Sequence, residues 1–253
     1  MKKFLKKIYI FLCNIGLSPL KLINLVYIFN YFFSLVEFLL KGGKIKKIFI
    51  ILGDHKEKSG VVDRHYFLQD INIANKIFVN KPIKHVDIGS RLDGFISHLA
   101  SFRKVEVFDI RKNILDHPNI VFNQLDITKQ LNDNMYNYSD SVSCLHSIEH
   151  FGLGRYGDKI DPLGHIKGFE NLLNLTKKNG LLYISFPIAY KSSVEFNAHR
   201  IFEVKEIFNW SKNFKLVSFD YIDDNGKLIL EQKINFHDKN LCYGCGMYVL
   251  KKL

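Results

Sequence analysis

From residue 83 onward the chain alternates short apolar runs with helix-like stretches, and this alternation restricts its fold more than any other feature. IKHVDIG reads as a buried strand ending at Gly89, followed by a helix over residues 95–102. KVEVFDI is a second strand ending at Asp109, NIVFNQLDI a third with Asp126 beyond its end, and SVSCLH a fourth ending at His146. A helix over residues 166–177 leads to a fifth strand, GLLYISFPI, and FEVKEIFNW over residues 202–210 has helical spacing. FKLVSFDYI and CGMYVLKKL are two final strands. Strands that alternate with helices predict a mostly parallel sheet covered by helices on both faces, an α/β, Rossmann-like arrangement. A ligand of such a sheet lies outside the carboxyl ends of the strands.

Read in order, those strand ends carry Asp87-x-Gly89, Asp109, Asp126 and His146. At Gly89 no Cβ keeps a ligand away from the backbone. The turn DIGSRLDGF is not G-x-G-x-x-G, which argues against a dinucleotide pyrophosphate. A carboxylate at the end of the second strand, here Asp109, suits two ribose hydroxyls. Asp126 is placed to accept from the exocyclic amine of adenine.

His146, Glu149 and His150 fall within five residues of HSIEH. If the chain coils into a helix after Leu145, the i, i+3, i+4 spacing gathers them on one face. Imidazole and carboxylate together suit a borderline divalent cation, and the plainer alternative is that the two histidines decorate a helix start. The following segment GLGRYGDKIDP reads either as a loop binding substrate through Arg155 and Tyr156 or as a turn-rich surface loop.

The layout from about residue 60 to the end resembles the class I S-adenosylmethionine-dependent methyltransferases. The glycine motif of that family is matched by HVDIGSRLDG, with Asp87, Gly89 and Ser90, its ribose acid by Asp109 with Ile110, and its adenine loop by Leu125-Asp126-Ile127. The resemblance implies seven strands with an antiparallel last pair, S-adenosylmethionine as cofactor, and His146 beside it. A subset of the superfamily, the small-RNA 2′-O-methyltransferases and quinone-pathway O-methyltransferases, carries E-x-x-E-H and a later histidine that bind a divalent metal. HSIEH and NAHRIFEVKEIF are similar to this, which implies His146, Glu149, His150 and His199 as ligands of an iron-, manganese- or zinc-type ion. It also implies His146, His150 and His199 as catalytic residues, and Asn197 and Arg200 as substrate-binding residues beside Arg155 and Tyr156. HYFLQD, HVDIGSRLDGF, EHFGLGRYGD and FNAHR together resemble an uncharacterised methyltransferase-like family of nematodes and bacterial surface-polysaccharide clusters. That resemblance implies a sugar or nucleotide-sugar acceptor and O-methylation in capsule- or lipopolysaccharide-type glycan synthesis.

The net charge of +11 is uneven: residues 1–58 hold 11 Lys against Glu37, Asp54 and Glu57, a net +8, which leaves +3 for residues 59–253. A domain so mildly charged is not built to track phosphates, so no nucleic acid is expected. The polar stretch GDHKEKSG separates a basic helical extension, residues 1–58, from the main domain, residues 59–253. The start MKKFLKKIYIFLCNIG is similar to a signal peptide, but its apolar run is brief and no A-x-A pattern follows. Residues 22–40 admit three readings: helices packed on a domain, an interfacial membrane helix, or a span. The expected location is the cytoplasm at the inner membrane face, with peripheral lipid contact through residues 1–50 and a homodimer as a further use of the extension.

Four cysteines without an even framework suit a reducing compartment. Cys242 and Cys245 are expected to be two packed thiols at the last strand. Two rival functions stand beside the glycan reading: an RNA-terminal or quinone O-methyltransferase, and a non-catalytic membrane-associated cofactor-binding protein.

Overall fold

The computed structural model describes residues 8–9, 11–13, 16–17, 19, 24–54, 59–112, 115–235 and 238–253. The basic start at residues 1–7 and most of the polar connector, residues 55–58, lie outside the described residues. The chain divides into two compact units, Met1–Val62 and Asp63–Leu253.

In the first unit a 3-10 turn, Asn24–Tyr27, runs into helix α1, Ile28–Leu40. None of the α1 residues is buried, although the helix is apolar on most of its surface. No helix among the described residues is long and apolar enough to cross a membrane.

The second unit begins with α2, Arg64–Asn80. The Asp63 carboxylate caps it, accepting from the His65 and Tyr66 amides. Strand β1, His85–Ile88, is followed by a π-helical turn, Leu92–Ile96, that continues as α3, Ser97–Ala100. Then come β2, Val105–Asp109, β3, Ile120–Gln124, and β4, Ser139–Leu145. After α4, Gly164–Leu175, the chain forms β5, Thr176–Ala189, β6, Ser193–Glu195, and β7, His199–Glu203. The short α5, Ile207–Trp210, precedes β8, Phe214–Ile222, β9, Leu228–Ile229, and β10, Gly244–Lys252.

The strands lie in the order β3-β2-β1-β4-β5-β10-β8-β9. The five on the β3 side are parallel, and β10 is antiparallel to both β5 and β8. This is the mostly parallel sheet that the residue pattern predicts, with the antiparallel end that the family resemblance implies, and the short strands β6, β7 and β9 add to the seven it implies. Side chains alternate between its faces. Val86, Val142, Leu182, Ile184 and Phe186 pack with α4 and Trp210 on one face. Val105, Val107, Tyr183 and Met247 pack with Ile73 and Ile77 of α2 and with Phe95 and Leu99 on the other. Fully burying each such side chain contributes about 1.5–3 kcal/mol.

Two expected elements differ. The stretch read as a helix over residues 202–210 begins as β7, because Phe202 and Glu203 pair with Ile188 and Ala189 of β5. Only Ile207–Trp210 coils. Likewise the chain leaving β4 makes a single 3-10 turn, Ile148–His150, rather than a helix.

Candidate active site at the carboxyl ends of the parallel strands

Asp87, on β1, lies wholly buried under the first strand-end loop. Its carboxylate accepts from the Ser90 amide at 3.0 Å, the Ser90 hydroxyl at 2.6 Å and the Ser143 hydroxyl at 2.6 Å. Burial pushes its pKa up to about 6, although the serine hydrogen bonds oppose this. Asp87 and Ser90 therefore shape the loop from below. Gly89 forms the surface, with φ +71, and an added Cβ there would collide with Ser147 Oγ. The packing of Ser147 against Gly89, together with the positive φ, leaves no place for a side chain at this position.

Gly89 lines one cleft together with Asp109 and Ile110 from the end of β2, Asp126 and Ile127 beyond β3, and His146 and His150 after β4. The Asp109 carboxylate is held by the Arg111 side chain at 2.7 Å and the Arg111 amide at 2.8 Å. Asp126 accepts from the Thr128 hydroxyl at 2.7 Å and amide at 3.0 Å. The three acidic loops thus converge, Asp109 and Asp126 on the cleft and Asp87 beneath it.

The two histidines of HSIEH differ in electrostatics. His146 adopts a left-handed φ of 47, an uncommon backbone for a non-glycine residue. Its Nδ1–H donates to Glu149 Oε1 at 2.8 Å, and both side chains are buried. Burial opposes the imidazolium, but the Cys245 sulfur and the Glu149 carboxylate outweigh that penalty and raise the His146 pKa well above the histidine range. Burial likewise opposes the Glu149 carboxylate, and the charge and hydrogen bond of His146 bring its pKa below the usual carboxylate value. The pair is an imidazolium–carboxylate pair.

In His150 the Nδ1 atom lies 2.7 Å from the Ala198 carbonyl. A carbonyl only accepts, so Nδ1 carries the proton and Nε2 of the neutral ring keeps its lone pair. Burial lowers the His150 pKa, more strongly than the Glu149 charge and the Ala198 hydrogen bond raise it. One imidazole is therefore held charged and the other neutral. Environments that push neighbouring pKa values apart commonly mark distinct acid and base roles.

The described residues give the metal reading no support as they stand, although His146 Nε2, Glu149 Oε2 and His199 Nε2 are each buried without a hydrogen-bond partner. Among the described residues no three His, Cys, Asp or Glu side chains come together as a metal-binding group. His146 Nδ1 is committed to Glu149 Oε1, His150 Nε2 stands 3.8 Å from that oxygen, and the His150 and His199 ring centroids are 6.4 Å apart. The absence of a helix after Leu145 removes the shared face on which the ligand set was based. His199 Nε2 instead lies 3.4 Å from Glu195 across the β6–β7 hairpin. No catalytic step is assigned to a metal.

The substrate-side residues also separate. Arg200 is 4 % exposed, and its guanidinium donates to the carbonyls of Phe151 at 2.6 Å and Pro162 at 3.2 Å, with longer bonds to Glu149 and Asp161. It clamps the loop after β4 rather than facing a substrate, which corrects the expected substrate contact. Asn197 sits exposed at the β6–β7 turn with φ 62. Arg155 donates to the same Ala198 carbonyl that receives His150. Tyr156 does line the cleft, edge-on to His150 with centroids 5.4 Å apart and beneath the Arg111 guanidinium. Asp158 holds this loop by accepting from the amides of Gly152, Gly154 and Tyr156. Gly152, at φ +79, lies where a Cβ would strike the Asp161 carbonyl.

Of the two C-x-x-C thiols, Cys245 is buried and Cys242 is exposed with its S–H directed to the Asn240 carbonyl, so the two do not pack together. Tyr66, His65 and Tyr243 also surround His146. They went unrecognised in the sequence. The available signal was the placement of HY just after the Asp63 cap, at the strand-end side of the sheet.

The fold is that of the Rossmann-like methyltransferases. An S-adenosylmethionine-dependent methyltransferase from Clostridium acetobutylicum superimposes with a TM-score of 0.50 at 13% identity, covering 88% of this chain and 98% of its own. The cyclase SpnF gives 0.52 at 9% identity, over 73% of this chain and 79% of its own. The protein MccD gives 0.50 at 8% identity, over 74% and 96%. Residues 100–244 match the family model described as Caenorhabditis protein of unknown function, DUF268, and the chain belongs to that family. Comparison with curated proteins gave no match.

Proposed function

We propose that this chain is an S-adenosylmethionine-dependent O-methyltransferase that acts on a sugar hydroxyl in the assembly of a surface glycan. The observation that carries the reading is the cleft itself, where a glycine loop, two strand-end carboxylates and a neutral imidazole meet. The C. acetobutylicum protein of the same fold is described as an S-adenosylmethionine-dependent methyltransferase, while SpnF is a cyclase, so fold alone does not decide the chemistry. The sugar acceptor rests on the family resemblance.

The chain's groups suit the cofactor. The Gly89 backbone admits close approach, Asp109 offers its carboxylate to two ribose hydroxyls, and Asp126 lies at the adenine position. The Asp109–Arg111 pair is half-exposed on the arginine side and worth about 0–1 kcal/mol, so incoming hydroxyls can replace it. When bound there, S-adenosylmethionine would supply the methyl group to the acceptor oxygen, the S–C bond breaking with its electron pair left on sulfur as the O–C bond forms. His150 Nε2 takes the hydroxyl proton, a contribution of about 10²–10⁴-fold for a well-placed base. His146, already charged, does not act as a base. It is a positioning group that fixes Glu149 at the edge of the cleft.

Asp109→Ala is expected to lose S-adenosylhomocysteine binding in calorimetry while retaining the folded circular-dichroism spectrum. Unchanged affinity would remove the cofactor assignment.

The basic extension is assigned to anionic lipid at the inner membrane face. Full-length protein should sediment with phosphatidylglycerol vesicles at low salt, and protein lacking residues 1–50 should stay in the supernatant. Equal sedimentation of the two would exclude a lipid role for the extension.

A further inference from the structure

A second hollow lies against His146. It is lined by Asp63, Arg64, His65 and Tyr66 at the start of α2, by the turn after β8 with Asp224, and by Tyr243 just before β10. Tyr66 and His146 line both this hollow and the strand-end cleft, so the two spaces adjoin at these side chains, and a ring held in the hollow can extend a hydroxyl toward His150 in the cleft. We propose that this second hollow is the acceptor site, and that it takes a neutral hydroxylated ring, a sugar residue, rather than a phosphate or carboxylate group. The inference rests on the strand-end cleft being the cofactor site.

Three features support it. The first is a run of flat rings. His65 stacks on Tyr243 with centroids 5.5 Å apart and planes at 17°, and on His146 at 6.1 Å and 19°. Tyr243 in turn packs on His199 at 5.4 Å. The faces of the neutral rings His65 and Tyr243 carry partial negative charge, which suits the C–H face of a sugar and repels anions.

The second feature is the polar rim. Asp63 accepts from the His65 and Tyr66 amides, and Asp224 from the Cys242 and Tyr243 amides at 2.9 and 2.6 Å. A carboxylate has about four lone-pair sites, so each acid can still receive hydroxyl donors. The Arg64 guanidinium donates to the Asn225 carbonyl at 2.6 Å. The Asp63 and Asp224 carboxylates thus stand against one guanidinium that already has a partner and the His146 imidazolium, whose charge is balanced by Glu149, so the hollow carries no surplus cation for a phosphate. Burial, and then the charge of His146, lower the His65 pKa, so this ring adds no cation at neutral pH.

The third feature is His146 Nε2, which is buried where the two spaces adjoin and has no oxygen acceptor, the Cys245 sulfur being the neighbour that supports its charge. Its Nδ1–H is already given to Glu149, so Nε2–H is the donor left for a ligand oxygen. A ligand oxygen would supply the acceptor that this buried donor lacks.

The test is saturation-transfer difference NMR on the full chain with S-adenosylhomocysteine present. The probes are the methyl glycosides of glucose, galactose, mannose, rhamnose and fucose, and the corresponding sugar 1-phosphates. At least one glycoside should give a signal with the native chain and lose it at least fivefold in Tyr243→Ala, with no gain for the phosphate. S-adenosylhomocysteine affinity by calorimetry should be unchanged in the variant. No glycoside signal, equal signal in the variant, or stronger binding of a phosphate would overturn the proposal. Should Tyr243→Ala fail to fold, His65→Ala provides the same comparison. Failure of S-adenosylhomocysteine to bind the native chain would instead strike the cofactor reading, which the calorimetry reports separately.

Discussion

Replacing Glu149 with alanine is expected to lower the melting temperature of the main unit by on the order of 10 °C, from a loss of about 3–5 kcal/mol. Glu149 and His146 are both buried and 2.8 Å apart. Removing the carboxylate leaves either an uncompensated imidazolium or a neutral ring whose Nδ1–H has no acceptor. Either state carries a desolvation penalty that the native pair avoids. Glu149→Gln still accepts from Nδ1–H and should lose less. The pair also sets a pH window. The Glu149 pKa is lowered on folding, so its contribution is present above the unfolded carboxylate pKa and fades as pH falls through the folded value. The His146 pKa is raised, so its contribution is complete below the unfolded histidine pKa and fades as pH rises through the folded value. Thermal melts of native chain and Glu149→Ala should therefore differ most between about pH 4.5 and 6.5 and converge toward either extreme. A difference that does not vary with pH would contradict the ion pair.

His150→Asn should reduce methyl transfer by about 10²–10⁴-fold while leaving the melting temperature and S-adenosylhomocysteine affinity near native. The asparagine amide can replace Nδ1–H as donor to the Ala198 carbonyl, but it offers no base in place of Nε2. The measurement is transfer of radiolabelled methyl from S-adenosylmethionine to a pool of glycan acceptors. With native enzyme the rate should climb with pH through a value below the ordinary histidine pKa and then level, because burial favours the neutral, proton-accepting ring. A variant with full turnover would remove His150 from the chemistry.

The convergence of the strand-end loops on one cleft was legible in the sequence because each loop lies beside the strand that announces it. Gly89, Asp109 and Asp126 follow buried apolar runs, and a run of that kind fixes both where a strand stops and which end of the sheet its last residue reaches. The second hollow was not legible. Arg64 meets Asn225 across 161 residues of chain, and Tyr243 reaches His65 only after α2 and the β8–β10 hairpin have packed on one sheet. Arg200 was misread for a related reason. An arginine beside a histidine in a polar turn looks like a ligand contact, and nothing local shows that four backbone carbonyls await its guanidinium. The helix expected over residues 202–210 failed because its spacing suits a helix while its first residues complete a sheet edge.

At Tyr66 and His146 two spaces adjoin that are built from different stretches of the sequence. What would grip the donor comes from one consecutive run, the loops between Gly89 and Thr128, whereas what would receive the acceptor is assembled from Asp63–Tyr66, Asp224 and Tyr243. The two tasks can therefore diverge separately. A relative could exchange the turn after β8 and the approach to β10, and so change its sugar, without disturbing a residue of the donor loops. Grafting residues 223–243 between such relatives is the corresponding route to a new acceptor preference on an unaltered methyl-transfer engine.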